Sequence, residues 1–481
     1  MEHKYPVLFV AILILGIFLR IYQLDTESLW ADEVFSLHHA QEDLGSMISL
    51  VSTTEAAPPL SYIFLHYWTY FFGNSEFAAR FPSMIWGVWS ILILFKIVNL
   101  FFDQRTALLA SALMSISMLQ VLFSQEARMY SLFTFFSLLS AYFFFRIYLK
   151  KSKNYFWYGL FTLLAGYTNY LAFFLPLFYS FYLLWRKVEK SFYPHWWRIN
   201  LWLFFLAWPI LPVLYKQFSA INNGLAETLA EKGIPAALSW LGLFFFALPL
   251  LAVLAFLAFL LWLQKRNKLP RWHLGDGVFL LLWGIFGIFY IYLSFFPLKI
   301  FGITLITVPI TNSYFLIRHS FFLAPLFYVY IAFRIGKMPG KTLRTLCLVF
   351  LVVVSSASLG AYYSTPTKAQ WKEAAAYLGE RPLVLLDKGG FSNAYLLRYY
   401  GQNPAIVKLT WSEEERKSYQ INEEELQHFL DRRSDFWLVL ARNPSGDYYK
   451  DWLDQRYVRD AGREFYQIKA YHYRNMRYES R

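Results

Sequence analysis

The sequence predicts an α-helical polytopic membrane protein of about eleven spans, with interfacial helices in its first external loop and a small C-terminal α/β soluble domain. Three observations carry this. Hydrophobic residues make up 57% of the 481-residue chain and aromatic residues 21%, more apolar surface than a soluble fold can cover without lipid. The apolar residues fall in continuous runs of about 20, the length that crosses a hydrocarbon core. From Thr365 onward the runs stop, and short helix and strand patterns alternate.

The span candidates are Pro6–Leu24, Phe81–Phe101, Ala107–Phe123, Met129–Leu149, Tyr155–Tyr167, Leu171–Trp185, Leu201–Tyr215, Ala237–Leu263, Val278–Phe296, Phe315–Phe333 and Leu343–Tyr362. The first follows Lys4 and has no small-residue cleavage site before Asp25, so a retained anchor is expected rather than a signal peptide. Tyr155 to Trp185 is too short for two full crossings at 1.5 Å per residue. Basic loops flank it on both sides, so it must cross twice or not at all. Two short tilted helices or a re-entrant pair are expected, broken near Gly166-Tyr167-Thr168-Asn169.

The net charge of +13 is carried by loops, not by a nucleic-acid patch. Arg146, Lys150, Lys151 and Lys153 form one basic loop. Arg186, Lys187, Lys190 and Arg198 form the next, followed by Lys265, Arg266, Lys268 and Arg271, then Arg334, Lys337, Lys341 and Arg344. Basic loops of this kind are cytoplasmic. An odd number of spans then puts the N-terminus inside and the C-terminal domain outside. That is the topology expected of a plasma-membrane protein. A lone cysteine, Cys347, excludes an intramolecular disulfide.

The boundary is expected at residues 363 and 364, dividing 1–363 from 364–481. In the first external segment, Leu44–Val51 and Leu60–Phe72 read as interfacial helices. Asn74-Ser75-Glu76 opens the second span with a polar cap and an acid, and Glu76 and Arg80 stand four apart on one helical face. In the tail, Lys368–Leu378 and Asn422–Arg432 read as helices. Leu383–Asp387, Ala405–Leu409, Phe436–Leu440 and Phe465–Tyr471 read as strands. Asp387-Lys388-Gly389-Gly390 is a turn and not a dinucleotide fingerprint, and the chain has no P-loop.

Four polar constellations stand at span ends. Asp32 and Glu33 are adjacent carboxylates that suit a general base, a divalent cation or a simple helix cap. Glu55 precedes Pro58-Pro59, whose rigidity fixes its direction or merely starts a helix. In Gln125-Glu126-Ala127-Arg128-Met129-Tyr130, Glu126 suits a hydroxyl or metal and Arg128 a phosphate or an intraloop ion pair. Arg318-His319 suits an anion at the membrane surface, or Arg318 snorkels to headgroups. His38 and His39 flank the acidic pair and are expected to be exposed.

Taken in order, Trp30-Ala31-Asp32-Glu33, Glu55 with Pro58-Pro59-Leu60 and Tyr62, Gly73 to Glu76 with Arg80-Phe81-Pro82-Ser83, Gln125 to Tyr130, and Arg318-His319 with Pro325 strongly resemble the GT-C membrane glycosyltransferases. Among them it looks like the branch of prokaryotic protein O-mannosyltransferases and aminoarabinose transferases. The resemblance covers roughly Pro6 to Arg334. It implies a membrane transferase that uses a polyprenyl-phosphate-linked sugar and an extracytoplasmic acceptor, whether protein, lipid or glycan.

It also implies Asp32, Glu33 and Glu126 at the catalytic centre, and Glu55, Arg80, Arg128, Tyr130, Arg318 and His319 as substrate-binding residues. Some relatives hold a divalent metal and others none; Asp32, Glu55 and Glu126 are the metal candidates here. Asn169 departs from the basic residue that many relatives place between the fifth and sixth spans, so no donor-phosphate contact is implied there. The chemistry expected is an inverting displacement with lipid phosphate as leaving group. A lipid-linked-sugar flippase or transporter is the alternative, and should carry acids at the bilayer midplane and often a repeat between halves. A non-catalytic envelope-assembly protein is the other.

Overall fold

A computed structural model gives the structure of the chain and describes residues 4–186, 188–220, 299–300, 303–304, 318, 321–379, 383–386, 390–401, 405–408, 423–441 and 447–476. The spans expected at Ala237–Leu263 and Val278–Phe296, the basic loop at 265–271, the turn at 387–389 and His319 lie outside the described residues. The chain divides into two compact units. Unit one comprises Met1–Tyr22, His39–Gly73 and Arg80–Leu359; unit two comprises Gln23–His38, Asn74–Ala79 and Gly360–Arg481.

The helices are α1 (Lys4–Ile21), α2 (Ala31–Gln41), α3 (Leu44–Thr54), α4 (Leu60–Phe72), α5 (Glu76–Phe101), α6 (Gln104–Ile116), α7 (Met118–Ser124) and α8 (Tyr130–Lys150). After them come α9 (Tyr155–Thr168), a 3₁₀ turn (Tyr170–Phe174), α10 (Leu175–Trp185), α11 (Tyr193–Ala207), α12 (Ala324–Gly336) and α13 (Lys341–Ser364). Among the described residues, four helical stretches are long and apolar enough to cross a bilayer: Glu76–Phe101, Tyr130–Lys150, Lys190–Ala220 and Lys341–Ser364. α6 and α7 add a fifth if their bent pair is one span. The two helices expected in the first external segment are present as α3 and α4. Asp43 caps α3 by accepting from Gly45 N and Ser46 N, and Ser75 Oγ caps the start of α5 through Ala78 N.

The core of unit one is assembled around α8. Phe144 stacks on Tyr179 of α10 at 4.2 Å and lies 5.4 Å from Trp196 of α11. Ser140 Oγ meets Thr162 Oγ1 at 2.7 Å, joining α8 to α9 where lipid offers no other partner for a hydroxyl. The break near residues 166–169 is present. α9 stops at Thr168, and the Asn169 side chain accepts from Leu171 N at 3.0 Å to start the 3₁₀ turn. Gly166 is needed there because a Cβ would come within 2.5 Å of the Phe173 ring.

α6 and α7 meet at a 59° bend. A bend frees main-chain carbonyls that hydrocarbon cannot solvate. Arg20, fully buried at the end of α1, satisfies them. Its guanidinium donates to Met114 O at 3.2 Å, Ser115 O at 3.2 Å, Gly16 O at 3.1 Å and Ser124 Oγ at 3.2 Å. The Arg20→Met protein is expected to lose about 2–4 kcal/mol of stability, because those acceptors stay buried without donors. Thermal unfolding in detergent measures this, and an unchanged midpoint would rule out the capping role.

Unit two contains α14 (Trp371–Leu378), α15 (Gly390–Tyr399), α16 (Glu423–Leu430) and α17 (Asp447–Asp454). Its five strands are β1 (Leu383–Leu386), β2 (Ala405–Lys408), β3 (Asp435–Ala441), β4 (Val458–Phe465) and β5 (Ile468–Arg474). They form one mixed sheet in the order β2-β1-β3-β5-β4. β1 runs parallel to β2 and β3, with Leu383 opposite Ala405 and Val384 opposite Trp437. β5 runs antiparallel to β3 and β4, with Leu438 opposite Tyr471 and Phe465 opposite Ile468. The helices between the parallel strands supply the crossovers that parallel pairing demands. Phe436, Tyr473, Leu453 and Trp452 form the core under the helices. The last expected strand, Phe465–Tyr471, is corrected to Ile468–Arg474, because Tyr466 and Gln467 make the hairpin turn, Gln467 at φ +60°. The helix expected from Lys368 starts at Trp371.

Candidate active site

Asp32 and Glu33 open α2 in unit two, and the fold gives them different surroundings. Consecutive helical residues diverge by about 100°, so the two side chains leave the helix in different directions. Glu33 has no exposed surface. Its carboxylate accepts from Lys368 Nζ at 3.1 Å and from Trp30 N at 3.2 Å. The second bond is the reciprocal half of a capping box, closing the helix entry. Asp32 is half-buried, and its carbonyl accepts from Ser36 Oγ at 2.8 Å. Glu76, read with Arg80 from the sequence, is bonded in unit two to Lys372 Nζ at 3.2 Å.

A buried polar cluster lies in unit one, drawn from α2, the α3–α4 loop, α4 and the α7–α8 turn. Glu55 ends α3 and faces Arg128 Nη2 at 3.5 Å. Arg128 Nη1 reaches the Tyr62 hydroxyl at 3.4 Å. His39 lies with Nδ1 3.8 Å from Glu55, Nε2 3.1 Å from Thr54 Oγ1, and its ring edge-on to Tyr62 at 5.8 Å. The expectation of an exposed His39 is corrected: it is buried, because α3 and α4 close over the end of α2. His38 is half-buried and packs on Tyr395 at 4.6 Å in unit two. Burial pushes the Tyr62 phenol well above its usual range; the Arg128 charge opposes this, and the Glu55 charge and hydrogen bond add to it. Tyr62 therefore stays protonated and can donate while Arg128 stays cationic.

The cluster is held by Gln217, which the sequence did not single out, and by Gln125 and Ser83, which it named without a role. Gln217, buried beyond the run Leu201–Tyr215, donates to Val51 O at 3.0 Å and Ala57 O at 2.9 Å. It accepts from Tyr170 OH at 2.8 Å, so the amide nitrogen holds the segment carrying Glu55 while the amide oxygen is fixed by the 3₁₀ turn. Gln125 Nε2 donates to Arg20 O at 3.1 Å and Tyr22 O at 2.7 Å, fixing the turn that bears Glu126 and Arg128 to the end of α1. Ser83 Oγ supports Arg128 through its carbonyl at 3.4 Å. The available signal was a polar residue at the end of an apolar run, where lipid penalises it unless it has a partner.

The other named residues are placed as follows. Glu126 is fully buried in the α7–α8 turn, and Arg80 is buried in the first turns of α5. Tyr130 packs in an apolar cluster with Met47, Val51, Phe123 and Phe321, its ring 5.0 Å from Phe123. Arg318 is half-buried in unit one. Among the described residues, no group of three His, Cys, Asp or Glu side chains is arranged to hold a metal ion. Glu55, a metal candidate, already faces a guanidinium and a phenol, a donor set that suits an anion contact rather than a cation.

The model of the dolichyl-phosphate-mannose-protein mannosyltransferase family matches residues 56–215. Those residues run from the Glu55–Pro59 loop through α11 to the helix that carries Gln217. Among solved structures, ArnT from Cupriavidus metallidurans bound to undecaprenyl phosphate is similar with a TM-score of 0.51 at 12% identity, covering 98% of each chain. The chain has the GT-C fold. The oligosaccharyltransferase AglB from Archaeoglobus fulgidus, in complex with an inhibitory peptide and a dolichol-phosphate, is similar at a TM-score of 0.49 and 10% identity, over 98% of this chain and 74% of that one. The Saccharomyces cerevisiae Pmt1-Pmt2 protein O-mannosyltransferase complex bound to the sugar donor gives 0.36 at 16% identity, over 45% and 34%. A sequence comparison with curated proteins finds no match.

Proposed function

We propose that the chain is an integral membrane glycosyltransferase that moves a hexose or pentose from a polyprenyl phosphate to an extracytoplasmic acceptor with inversion. The observation that carries this is the buried Glu55–Arg128–Tyr62–His39 cluster on a fold shared with a protein that binds undecaprenyl phosphate. A guanidinium and a protonated phenol held side by side suit a leaving phosphate, because both present donors where negative charge develops. Glu55 orients the Arg128 fork, and Arg318 supplies a second guanidinium for the phosphate.

In the reaction, Asp32 takes the proton from the acceptor hydroxyl as its oxygen attacks the anomeric carbon. The bond from that carbon to the phosphate oxygen breaks, and polyprenyl phosphate leaves with the electron pair. Glu126 accepts a hydrogen bond from a sugar hydroxyl. A lipid-linked donor needs no nucleotide-binding domain, in keeping with the sequence. The N-terminus is cytoplasmic and unit two extracytoplasmic.

Mass spectrometry of envelope lipids, proteins and glycans from cells with and without the chain tests the reading. One hexose- or pentose-sized increment should vanish in its absence. Unchanged envelope masses, with accumulated polyprenyl-phosphate sugar on one leaflet, would favour a flippase instead.

A further inference from the structure

Residues 365–370 join α13 to α14, and in unit two they are laced to the segment that leads into α2. Thr367 Oγ1 donates to Glu27 at 2.7 Å, and Lys372 N donates to Ser28 Oγ at 3.0 Å. Ser28 Oγ in turn reaches Glu373 at 3.4 Å. Leu29 N donates to Tyr400 OH at 2.7 Å, and Phe35 packs on Tyr395 at 5.6 Å. At the centre of this lacing is the Lys368–Glu33 pair, 3.1 Å apart, with side chains 7% and 0% exposed. Burying two opposite charges gives little net stability, because desolvation offsets their attraction. The pair is therefore poorly explained as a stabilising device. It occupies one particular place: the third residue of α2, directly after Asp32.

We propose that Lys368 is a positioning residue for the transfer reaction. By anchoring the Glu33 carboxylate it fixes the first turn of α2, and with it the direction in which Asp32 projects. It also offsets the charge of Glu33 beside Asp32. The C-terminal domain is thereby a working part of the catalytic loop. The inference rests on the role given to Asp32 above.

The test uses full-length protein in lipid nanodiscs with Lys368→Met, Lys368→Arg, Glu33→Gln and the Glu33→Gln/Lys368→Met double variant. Three quantities are read: the rate of formation of the envelope product, the Kd for undecaprenyl phosphate, and the thermal midpoint. Lys368→Met should lower the rate about 100-fold, the scale of an ångström-sized misplacement, while Kd changes by less than about twofold. Lys368→Arg should retain most of the rate, since a guanidinium still pairs with a carboxylate. The double variant should recover to within about tenfold of wild type, because removing both charges leaves none uncompensated.

Full rate in Lys368→Met overturns the proposal. So does a double variant that folds yet is no faster than Lys368→Met, since Lys368 would then not act through Glu33. If Lys368→Met does not fold, the double variant decides alone: folded and active supports the proposal, folded and inactive overturns it. If the wild type transfers nothing, the reading of function fails separately. The four midpoints still report whether the two residues are coupled, and additive midpoints overturn the pair.

Discussion

The Asp32→Asn protein is expected to insert, fold and bind undecaprenyl phosphate as the wild type does, and to lose about 10²–10⁴-fold in transfer rate. The substitution keeps the shape and helix-entry chemistry of the side chain, since Asn also suits the first turn. It removes the negative charge and with it the capacity to take a proton. The Glu33→Gln protein provides the contrast. Its defect should appear in stability, because Lys368 would be left buried without its carboxylate, and the Lys368→Met change should relieve it. Measuring initial rates, lipid binding and thermal midpoints on the same preparations separates the two acids. Appreciable turnover in Asp32→Asn would end the base assignment. A Glu33→Gln protein that is as stable as wild type but inert would transfer that assignment to Glu33.

The second large effect is expected at Arg128. Arg128→Lys should lower transfer by about 10²–10³-fold, the usual loss when one donor to a developing anion is removed, and should weaken undecaprenyl phosphate binding. Charge is conserved, so the loss would report geometry. The guanidinium spans Tyr62 with Nη1 and Glu55 with Nη2, and a single ammonium cannot hold both directions. Glu55→Gln should cost less, because the amide still accepts from Arg128 and only the ionic part is lost. If Arg128→Lys binds and turns over normally, the phosphate is held elsewhere.

The elements that were legible in the sequence are those whose physics is local. α5, α8 and α13 are long apolar runs and need no tertiary context. Helices α3 and α4 and the break at Asn169 follow from length, caps and loop charge. The α6–α7 bend was not legible, because no proline or glycine marks Ser115 to Met118 and its carbonyls are satisfied by Arg20 from another helix. β4 was missed because most of its residues are exposed, so no apolar alternation betrays it. At the site, residue types were readable but partners were not. Asp32 and Glu33 look equivalent as neighbours in sequence; what separates them is a lysine 335 positions away. His39 looked like a surface histidine because nothing local announces the closure of α3 and α4 over it.

That separation has a consequence for biogenesis. Unit two takes strands and helices from the last part of the chain, yet residues 23–38 and 74–79 belong to it as well. A nascent polypeptide can insert its early spans while still on the ribosome, but the stretch around Asp32 gains its bonds to Thr367, Lys368 and Tyr400 only once residues 365–400 have been made. Synthesis itself thus imposes a delay between the emergence of the first helices and the completion of unit two.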